Sequence, residues 1–246
     1  MNVEITGAKV LFNIGGIVIT ETVVNTWIVM LLITLFCFII TRNLKVRPTS
    51  RRQLIAEFIV KTFNKLVKGN MGDKFSAYSP LIAGVMLMSA LCSLSGLTGI
   101  YAPTADLSTL IAWAVVVFIL ITFNKIKYGG FGGYLKGYLE PIPVMLPINI
   151  ISEVATPVSM AFRHFGNVAS GVVVMTLVNG AMSAASQGLL GLIPGALGDT
   201  LSQIPLLRVG LPAILSLYFD VFSGCIQAFL FSMLTMAYVS SAAASE

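Results

Sequence analysis

The stretch VVNTWIVMLLITLFCFIIT, residues 23–41, decides the class of fold. Its 19 residues contain no charged side chain, and an α-helix of this length, at ~1.5 Å per residue, just crosses a ~30 Å hydrocarbon layer. The stretch therefore predicts a membrane-spanning helix. Residues 1–22 lack the basic start and the small-residue cleavage site of a signal peptide, so we expect an unprocessed outer segment before this first span.

The composition of the whole chain excludes a soluble globular protein. Of 246 residues, 57% are hydrophobic and only 10% are charged, whereas a soluble domain carries about 25% charged residues. The formal charge of +5 comes from cations that cluster beside apolar runs, so we expect the lipid bilayer, and no nucleic acid, as their partner. Three cysteines lie inside apolar runs without ligand spacing, so we expect no disulfide, metal site or cofactor: Cys37, Cys92 and Cys225.

A basic segment, residues 42–78, follows the first span. Up to residue 68, its eight lysines and arginines are opposed by a single acid, Glu57, which by the positive-inside rule predicts a cytoplasmic location. Between residues 53 and 68 apolar residues recur with helical period. Three cations share a different face, so we predict an amphipathic helix in the membrane interface: Lys61, Lys65 and Lys68.

Two further spans come next, at residues 80–100 and 107–123. The turn between them contains a proline and an acid but no cation, as expected on the outer side. The glycine-rich residues 129–137 are expected to form a flexible cytoplasmic loop. Three lysines in and before this loop place it on the same predicted side as the first basic segment: Lys125, Lys127 and Lys136.

The two last apolar stretches, residues 148–185 and 206–243, are each nearly 40 residues long and are joined by an outer connection at residues 187–205. At ~1.5 Å per residue they are about twice as long as a perpendicular crossing requires, so they must tilt steeply, break or protrude. The prediction is an all-α integral membrane protein. It has one membrane domain, residues 1–246, with five spans, an interfacial helix, an outer N-terminus and a cytoplasmic C-terminus.

Polar residues form a stripe along each of these two long helices. Their spacing of three and four residues places each set on one helical face, at a depth where polar groups are costly and are therefore candidates for function. We expect the two stripes to face each other or a wet cavity. The first stripe contains Glu153, Thr156, Ser159, Arg163, Asn167 and Ser170, and the second contains Ser216, Asp220, Ser223 and Gln227.

Arg163 is the central residue of the first stripe. It lies some 15 residues from the start of its helix, too deep for its side chain to reach either interface easily, and its guanidinium stays protonated. Two interpretations are open. In one, Arg163 forms an ion pair with Asp220 that joins two helices. In the other, it is an electrostatic gate that repels migrating cations and attracts a carboxylate on a moving partner.

Four motifs resemble a known family. Residues 157–167, PVSMAFRHFGN, are similar to the signature of subunit a of the rotary F-type ATP synthase, also called subunit 6. Further motifs are similar to the same family: EPIPVMLPINIISE at residues 140–153, APTAD at residues 102–106 and QAFLFSMLT at residues 227–235. The resemblance covers roughly residues 79–243 and is specific, because separated motifs occur in order.

The resemblance implies a stator that works against a ring of c subunits, each with a mid-membrane carboxylate. Two offset half-channels would reach that carboxylate from opposite sides. Arg163 matches the family's essential arginine, which separates the half-channels, and Asn167 and Gln227 match its polar neighbours. Asp220 would line the outer half-channel and Glu153 the inner one. The remaining expected ion-pathway residues are Ser159, Ser170, Ser216, Ser223 and Asp106.

The same resemblance implies the setting in which the chain works. It would belong to a whole F-type ATP synthase, with peripheral-stalk b subunits, in a bacterial plasma membrane, and residues 79–246 would supply the ion-translocating helices. The chain has no nucleotide-binding loop, so we expect no catalysis by this chain alone and ATP chemistry in a partner. In this family the choice between protons and sodium ions is made mainly by the surroundings of the ring carboxylate.

The chain departs from some bacterial members at four positions, of which Thr156, in place of a lysine, and Ser93, in place of an asparagine, affect only peripheral sites. Val172 stands where they have a glutamate, and Asp220 stands where they have a histidine. An acid that moves to a neighbouring helix can occupy the same cavity, so we expect the function to be kept. His164, the only histidine, points about 100° away from Arg163 on the helix, so we favour a structural role or contact with a neighbouring helix.

Two other functions compete with this interpretation. An autonomous secondary transporter or channel would use Arg163 and Asp220 with a substrate site of its own, and would be active without a ring. An intramembrane enzyme is disfavoured, because His164 is not spaced with any serine as a nucleophile and base, and no Gly-x-Ser-x-Gly sequence occurs.

Overall fold

Five helices in the computed structural model are long and apolar enough to cross a membrane, and they confirm the all-α membrane fold. The structure describes residues 8–14, 17–42, 44–45, 50–139, 142–190 and 210–244. The candidate spans within those residues are Glu21–Thr41, Asp73–Thr98, Leu107–Leu139, Pro143–Leu189 and Pro212–Ala243. They correspond in number and order to the spans predicted from hydropathy.

A short β-hairpin precedes the first span, which the sequence did not predict. Strands β1 (Val10–Ile14) and β2 (Ile17–Thr20) pair antiparallel, and helix α1 (Glu21–Thr41) begins directly after β2. The backbone N–H of Glu21 donates to the carbonyl of Lys9 at 2.9 Å, which ties the helix start to the hairpin. Helix α1 is apolar on nearly every face and mostly exposed, as expected for contact with lipid.

The predicted amphipathic helix is confirmed as α2 (Arg51–Met71). It begins where the Ser50 hydroxyl accepts a hydrogen bond from the Gln53 N–H at 3.3 Å, a side-chain cap that satisfies a free helix-terminal donor. It ends at Gly72, whose φ of 88° is strained for any residue with a side chain. Phe58 is 71% exposed on this helix, so the surface of α2 offers an apolar ring to the interface.

Helix α3 (Ser79–Leu94) lies between two 3₁₀ turns, and helix α4 (Leu107–Leu139) is much longer than predicted. The prediction of a loop at residues 129–137 is wrong, because α4 continues through these residues with a kink at Gly130 (φ 69°, ψ 164°). Glycines favour loops in isolation. Here, contacts between the kinked end of α4 and helix α5 (Leu146–Leu190) override that local preference.

The two basic segments lie at the same end of the helical bundle. The Tyr78 hydroxyl, at the start of α3, donates to Asn124 Oδ1 of α4 at 3.0 Å, and the rings of Phe75 and Tyr128 lie 5.9 Å apart. Asn124 is fully buried at this junction. The sidedness expected from the lysines is therefore consistent with the packing.

The two long final stretches form the helices that carry the polar stripes. Helix α5 has 45 residues, which at ~1.5 Å per residue is roughly 67 Å, about twice the ~30 Å hydrocarbon layer. The last span consists of α6 (Leu211–Ser216), a π-helical segment (Leu217–Ser223) and α7 (Gly224–Ala244). Most of the outer connection predicted at residues 187–205 lies outside the described residues, because residues 191–209 are not described.

The main apolar core joins α2, α3, α4 and α7. It is built from buried side chains of all four helices, and one methionine of α5 reaches it. Helix α5 otherwise packs chiefly along α4, so much of its surface stays uncovered. Core residues at the centre of this packing include Val67, Ile82, Val117, Met160 and Met236.

Candidate functional site

Arg163 lies on the uncovered face of α5, and its side chain is exposed. No acidic oxygen of the described residues lies within 4.0 Å of its guanidinium, so the ion pair with Asp220 is not formed. Ser159, one turn earlier, is exposed beside it. A permanent cation is therefore presented on an apolar helix surface without an acid from its own chain, among the residues described.

The two polar stripes meet one turn beyond Arg163. Asn167 Nδ2 donates a short hydrogen bond to the Ser223 hydroxyl, which joins α5 to the π-helical segment. Ser170 donates to the Asn167 carbonyl at 3.0 Å. Gln227 is half-buried one turn beyond Ser223 on α7. The prediction that the stripes face each other is therefore met at Asn167 and Ser223.

A cavity of about 650 Å³ surrounds Glu153, ten residues before Arg163, and we name it the inner cavity because Glu153 is expected to line the inner half-channel. The Lys125 ammonium lies 3.1 Å from Glu153 Oε1, and the Glu153 side chain is only 6% exposed. Tyr138 donates a short hydrogen bond to Oε2, and Tyr134 donates to Oε1 at 3.4 Å. The Glu153 carboxyl is therefore enclosed beside one cation and two hydroxyl donors, which satisfy its oxygens.

The kink in α4 builds this inner cluster. Beyond Gly130, Tyr134 and Tyr138 are four residues apart, so their rings share one face, with centroids 5.0 Å apart. Asn149 Nδ2 donates to the Tyr138 carbonyl at 2.9 Å and fixes the kinked end against α5. Sequence reasoning missed Lys125 and both tyrosines as partners of Glu153. The usable signal was the i, i+4 tyrosine pair after a glycine.

A second cavity, of about 550 Å³, surrounds Asp220, and we name it the outer cavity because Asp220 is expected to line the outer half-channel. Its wall includes Ser93 of α3, Tyr101 of the outer turn and Val172 of α5. The Ser216 hydroxyl donates to Asp220 Oδ2 at 2.5 Å, and no cation of the described residues lies within 4.0 Å of the carboxylate. Asp220 therefore faces the same cavity as Val172, as expected for an acid that has moved between neighbouring helices.

The π-helical segment displaces Asp220 from the position that a regular helix would give it. Hydrogen bonds from residue i to i+5 widen the turn, and such segments are frequent at functional sites. Close packing holds the segment in place. A Cβ built on Gly224 would lie 3.0 Å from the Ser93 Cβ, and one on Gly171 would lie 3.4 Å from the Phe219 Cβ. Both glycines allow helices to approach closely beside the cavity.

Asp106 has a capping role in the structure and is not among the residues that line the two cavities. Its Oδ1 accepts hydrogen bonds from the Ser108 N–H at 3.0 Å and the Ser108 hydroxyl at 2.7 Å. Its Oδ2 accepts from the Thr22 hydroxyl at 3.0 Å, which ties α4 to α1. Burial raises the pKa of the neighbouring Tyr101 phenol, and the carboxylates of Asp106 and Glu21 raise it further.

His164 is buried on a face of α5 that lies about 100° around the helix from the exposed Arg163. Only 1% of the residue is exposed, and its ring packs edge-on against Trp113 of α4 at 6.4 Å and Phe231 of α7 at 6.2 Å. Neither ring nitrogen has a hydrogen-bond partner among the residues that the structure describes. The structure thus places His164 in a helix–helix contact, away from both cavities.

Comparisons with known proteins agree on one family. The family model described as ATP synthase A chain matches residues 23–240. The chain is 33% identical to ATP synthase subunit a of Desulforamulus reducens, over 96% of this chain and 84% of that protein. It is 32% identical to that of Moorella thermoacetica, over 94% of each. A protein of Propionigenium modestum named ATP synthase subunit a, sodium ion specific, is 31% identical over 92% of this chain and 75% of that protein.

Proposed function

The chain belongs to the ATP synthase A-chain family, and from that premise we propose that it forms the stationary half of a divided ion path. Family membership makes it an ion-translocating, multi-pass membrane subunit of the F-type ATP synthase. The proposal adds two half-channels, which lead to carboxylates on a ring of c subunits, and a gate at Arg163. The observation that carries it is the exposed guanidinium of Arg163 between two cavities that each contain an acidic side chain.

The position of Arg163 along α5 supports the gate. The inner cavity reaches Thr156 on this helix and the outer cavity begins at Phe165. The distance along the helix from Thr156 to Phe165 is nine residues, or roughly 14 Å, and Arg163 lies within this interval. A fixed positive charge in a medium of low dielectric repels a mobile cation strongly, so an ion crossing this gap is expected to travel bound to a neutralising carboxylate.

The partner that supplies this carboxylate is the c-ring. Arg163 lacks an acid partner from the described part of its own chain, while Val158 and Phe162 beside it are 37% and 51% exposed. An exposed charge within an apolar surface fits a neighbouring protein better than lipid, because an uncompensated charge in hydrocarbon is costly. Each passing ring carboxylate would lose its ion when it meets the guanidinium.

The orientation we propose has the N-terminus outside and the C-terminus in a bacterial cytoplasm. The lysine-bearing ends of α2 and α4 lie together, which supports one cytoplasmic side under the positive-inside rule. With that orientation the Glu153 cavity opens inward and the Asp220 cavity opens outward. The peripheral-stalk b subunits would hold the chain still against the ring, as expected from the family.

The experiment is Arg163→Ala in the whole complex, reconstituted in sealed vesicles. ATP-driven ion pumping should fall to the background, because nothing then forces the ring carboxylate to release its ion. We also expect a passive ion leak through the interface between this chain and the c-ring. The matched control is Arg52→Ala, which removes the same charge from the exposed surface of α2 and should pump like the parent.

Two outcomes would overturn the proposal. Full coupled pumping by Arg163→Ala, with normal assembly, would exclude the gate. Ion transport by vesicles that contain this chain alone would favour the autonomous transporter, since a stator has no activity without its ring.

A further inference from the structure

The outer cavity extends from Asp220 to the first residue of helix α1, Glu21. These are the two acidic side chains among the described residues of its wall. Glu21 comes directly after the N-terminal hairpin, and Tyr101 lines the same cavity. The cavity therefore joins Glu21, at the start of α1, to Asp220 on the π-helical segment that also carries the Ser223 contact with Asn167.

The carboxylate of Glu21 is uncommitted in the part of the chain that the structure describes. It is half-buried, and neither a hydrogen bond nor an ion pair to its side chain is formed with the described residues. Asp106 is the neighbouring acid of the same outer region, and both of its oxygens accept hydrogen bonds from Thr22 or Ser108. Glu21 is thus free to interact with an ion, whereas Asp106 holds helices together.

We propose that Glu21 is the entrance carboxylate of the outer half-channel. This inference rests on the proposed function. A negative group at the mouth of a cavity with apolar walls raises the local concentration of cations and the rate at which they enter. Ions captured near Glu21 would pass to Asp220, which has no cationic partner among the described residues and can receive them.

A purely structural role makes a different prediction. An acid in the first turn stabilises a helix through its dipole, by about 0.3–1 kcal/mol. Loss of that effect would alter assembly or melting temperature but not the dependence of ion flux on ionic strength. The two roles are therefore separated by a flux measurement at low and high salt.

The test is Glu21→Gln in the reconstituted complex, measured as ATP synthesis driven by an imposed ion gradient. In that direction ions enter through the outer cavity. We expect a loss of about threefold at low ionic strength and little difference from the parent at high ionic strength, because salt screens the attraction of the carboxylate. The same loss at both ionic strengths would overturn the inference.

Chemical restoration of the charge gives a second readout. The Glu21→Cys variant is treated from the outer side with membrane-impermeant thiol reagents that add either a sulfonate or a quaternary ammonium. The sulfonate should restore synthesis and the ammonium should lower it further. Equal effects of both reagents would overturn the inference. The parent chain, with its own cysteines and the same reagents, is the control.

Two controls keep this inference separate from the proposed function. Asp106→Asn should weaken the tie between α1 and α4, so its defect should follow thermal stability and not ionic strength. Arg163→Ala tests the stator itself. If Arg163→Ala abolishes coupling while Glu21→Gln behaves as the parent at every salt concentration, the entrance role alone fails.

Discussion

The inner and outer cavities each hold one acid of the polar stripes, and the two acids are held differently. Glu153 has a lysine at 3.1 Å and two tyrosine hydroxyls, and its side chain is almost fully enclosed. Asp220 has one hydroxyl partner, Ser216, and no cation within 4.0 Å among the described residues. The inner carboxylate is neutralised by its own chain, whereas the outer one is left to attract a cation.

This difference suggests a division of labour along the path. An acid without a cationic partner binds a mobile ion readily, as the outer, receiving side of a synthase requires. An acid paired with Lys125 holds a mobile ion less tightly, because the ammonium competes for the same oxygens. On this view the ion is captured at the outer cavity and released at the inner one during ATP synthesis.

The largest expected effect on this comparison comes from Asp220→Asn. The amide keeps an oxygen that can accept the Ser216 hydrogen bond, so assembly should be intact, but the residue can no longer carry a charge or exchange a proton. We expect ATP-driven pumping to fall about tenfold, equivalent to about 1.4 kcal/mol in the barrier. Pumping by vesicles and the recovery of the purified complex are measured together.

Ser216→Ala is the matched control for that variant. It removes the hydroxyl that holds Asp220 but leaves the carboxylate, so a smaller loss is expected. Unchanged flux in Asp220→Asn would remove this residue from the path and would leave the outer cavity without its receiving group.

A smaller effect on pumping, with a clear effect on stability, is expected from Lys125→Met. The methionine fills similar space, but Glu153 then lacks a cation while it stays enclosed. We expect an earlier thermal transition of the complex, corresponding to about 2 kcal/mol, because breaking one side of a buried pair leaves an uncompensated charge. Pumping should fall about threefold.

A control variant and a double variant test the explanation for Lys125→Met. Lys127→Met removes an exposed lysine two residues away, whose ammonium lies over the Phe123 and Tyr128 rings, and should change stability little. The double variant Lys125→Met/Glu153→Gln should regain most of the lost stability, because a neutral amide then replaces the unpaired carboxylate. Equal losses of stability in Lys125→Met and Lys127→Met would show that the ion pair between Lys125 and Glu153 does not distinguish the inner cavity from the outer one.

Hydropathy and helical spacing predicted the features that depend on local sequence. The five spans follow from apolar runs, and the contact between Asn167 and Ser223 follows from polar residues at steps of three and four. Arg163 was identifiable because a charge at that depth is costly without a function. These are properties of a single helix in a bilayer, so the sequence carries them directly.

The missed features depend on contacts between distant segments. The helical end of α4 beyond Gly130 is stabilised by tyrosine contacts with Glu153 on α5, and residue-by-residue propensity does not include such contacts. The π-helical segment shifts the helical phase across Asp220, so a stripe drawn with 3.6 residues per turn does not run straight to Gln227. The pairing of Glu153 with Lys125 required the folded positions of both helices.

The most direct test of the divided path is the side from which each acid position can be reached. Asp220→Cys and Glu153→Cys are each placed in the assembled complex in sealed, oriented vesicles and exposed to a membrane-impermeant thiol reagent from one side. The account predicts modification of Asp220→Cys from the outer side only and of Glu153→Cys from the cytoplasmic side only. Reaction of both variants from the same side would contradict two half-channels that are separated at Arg163.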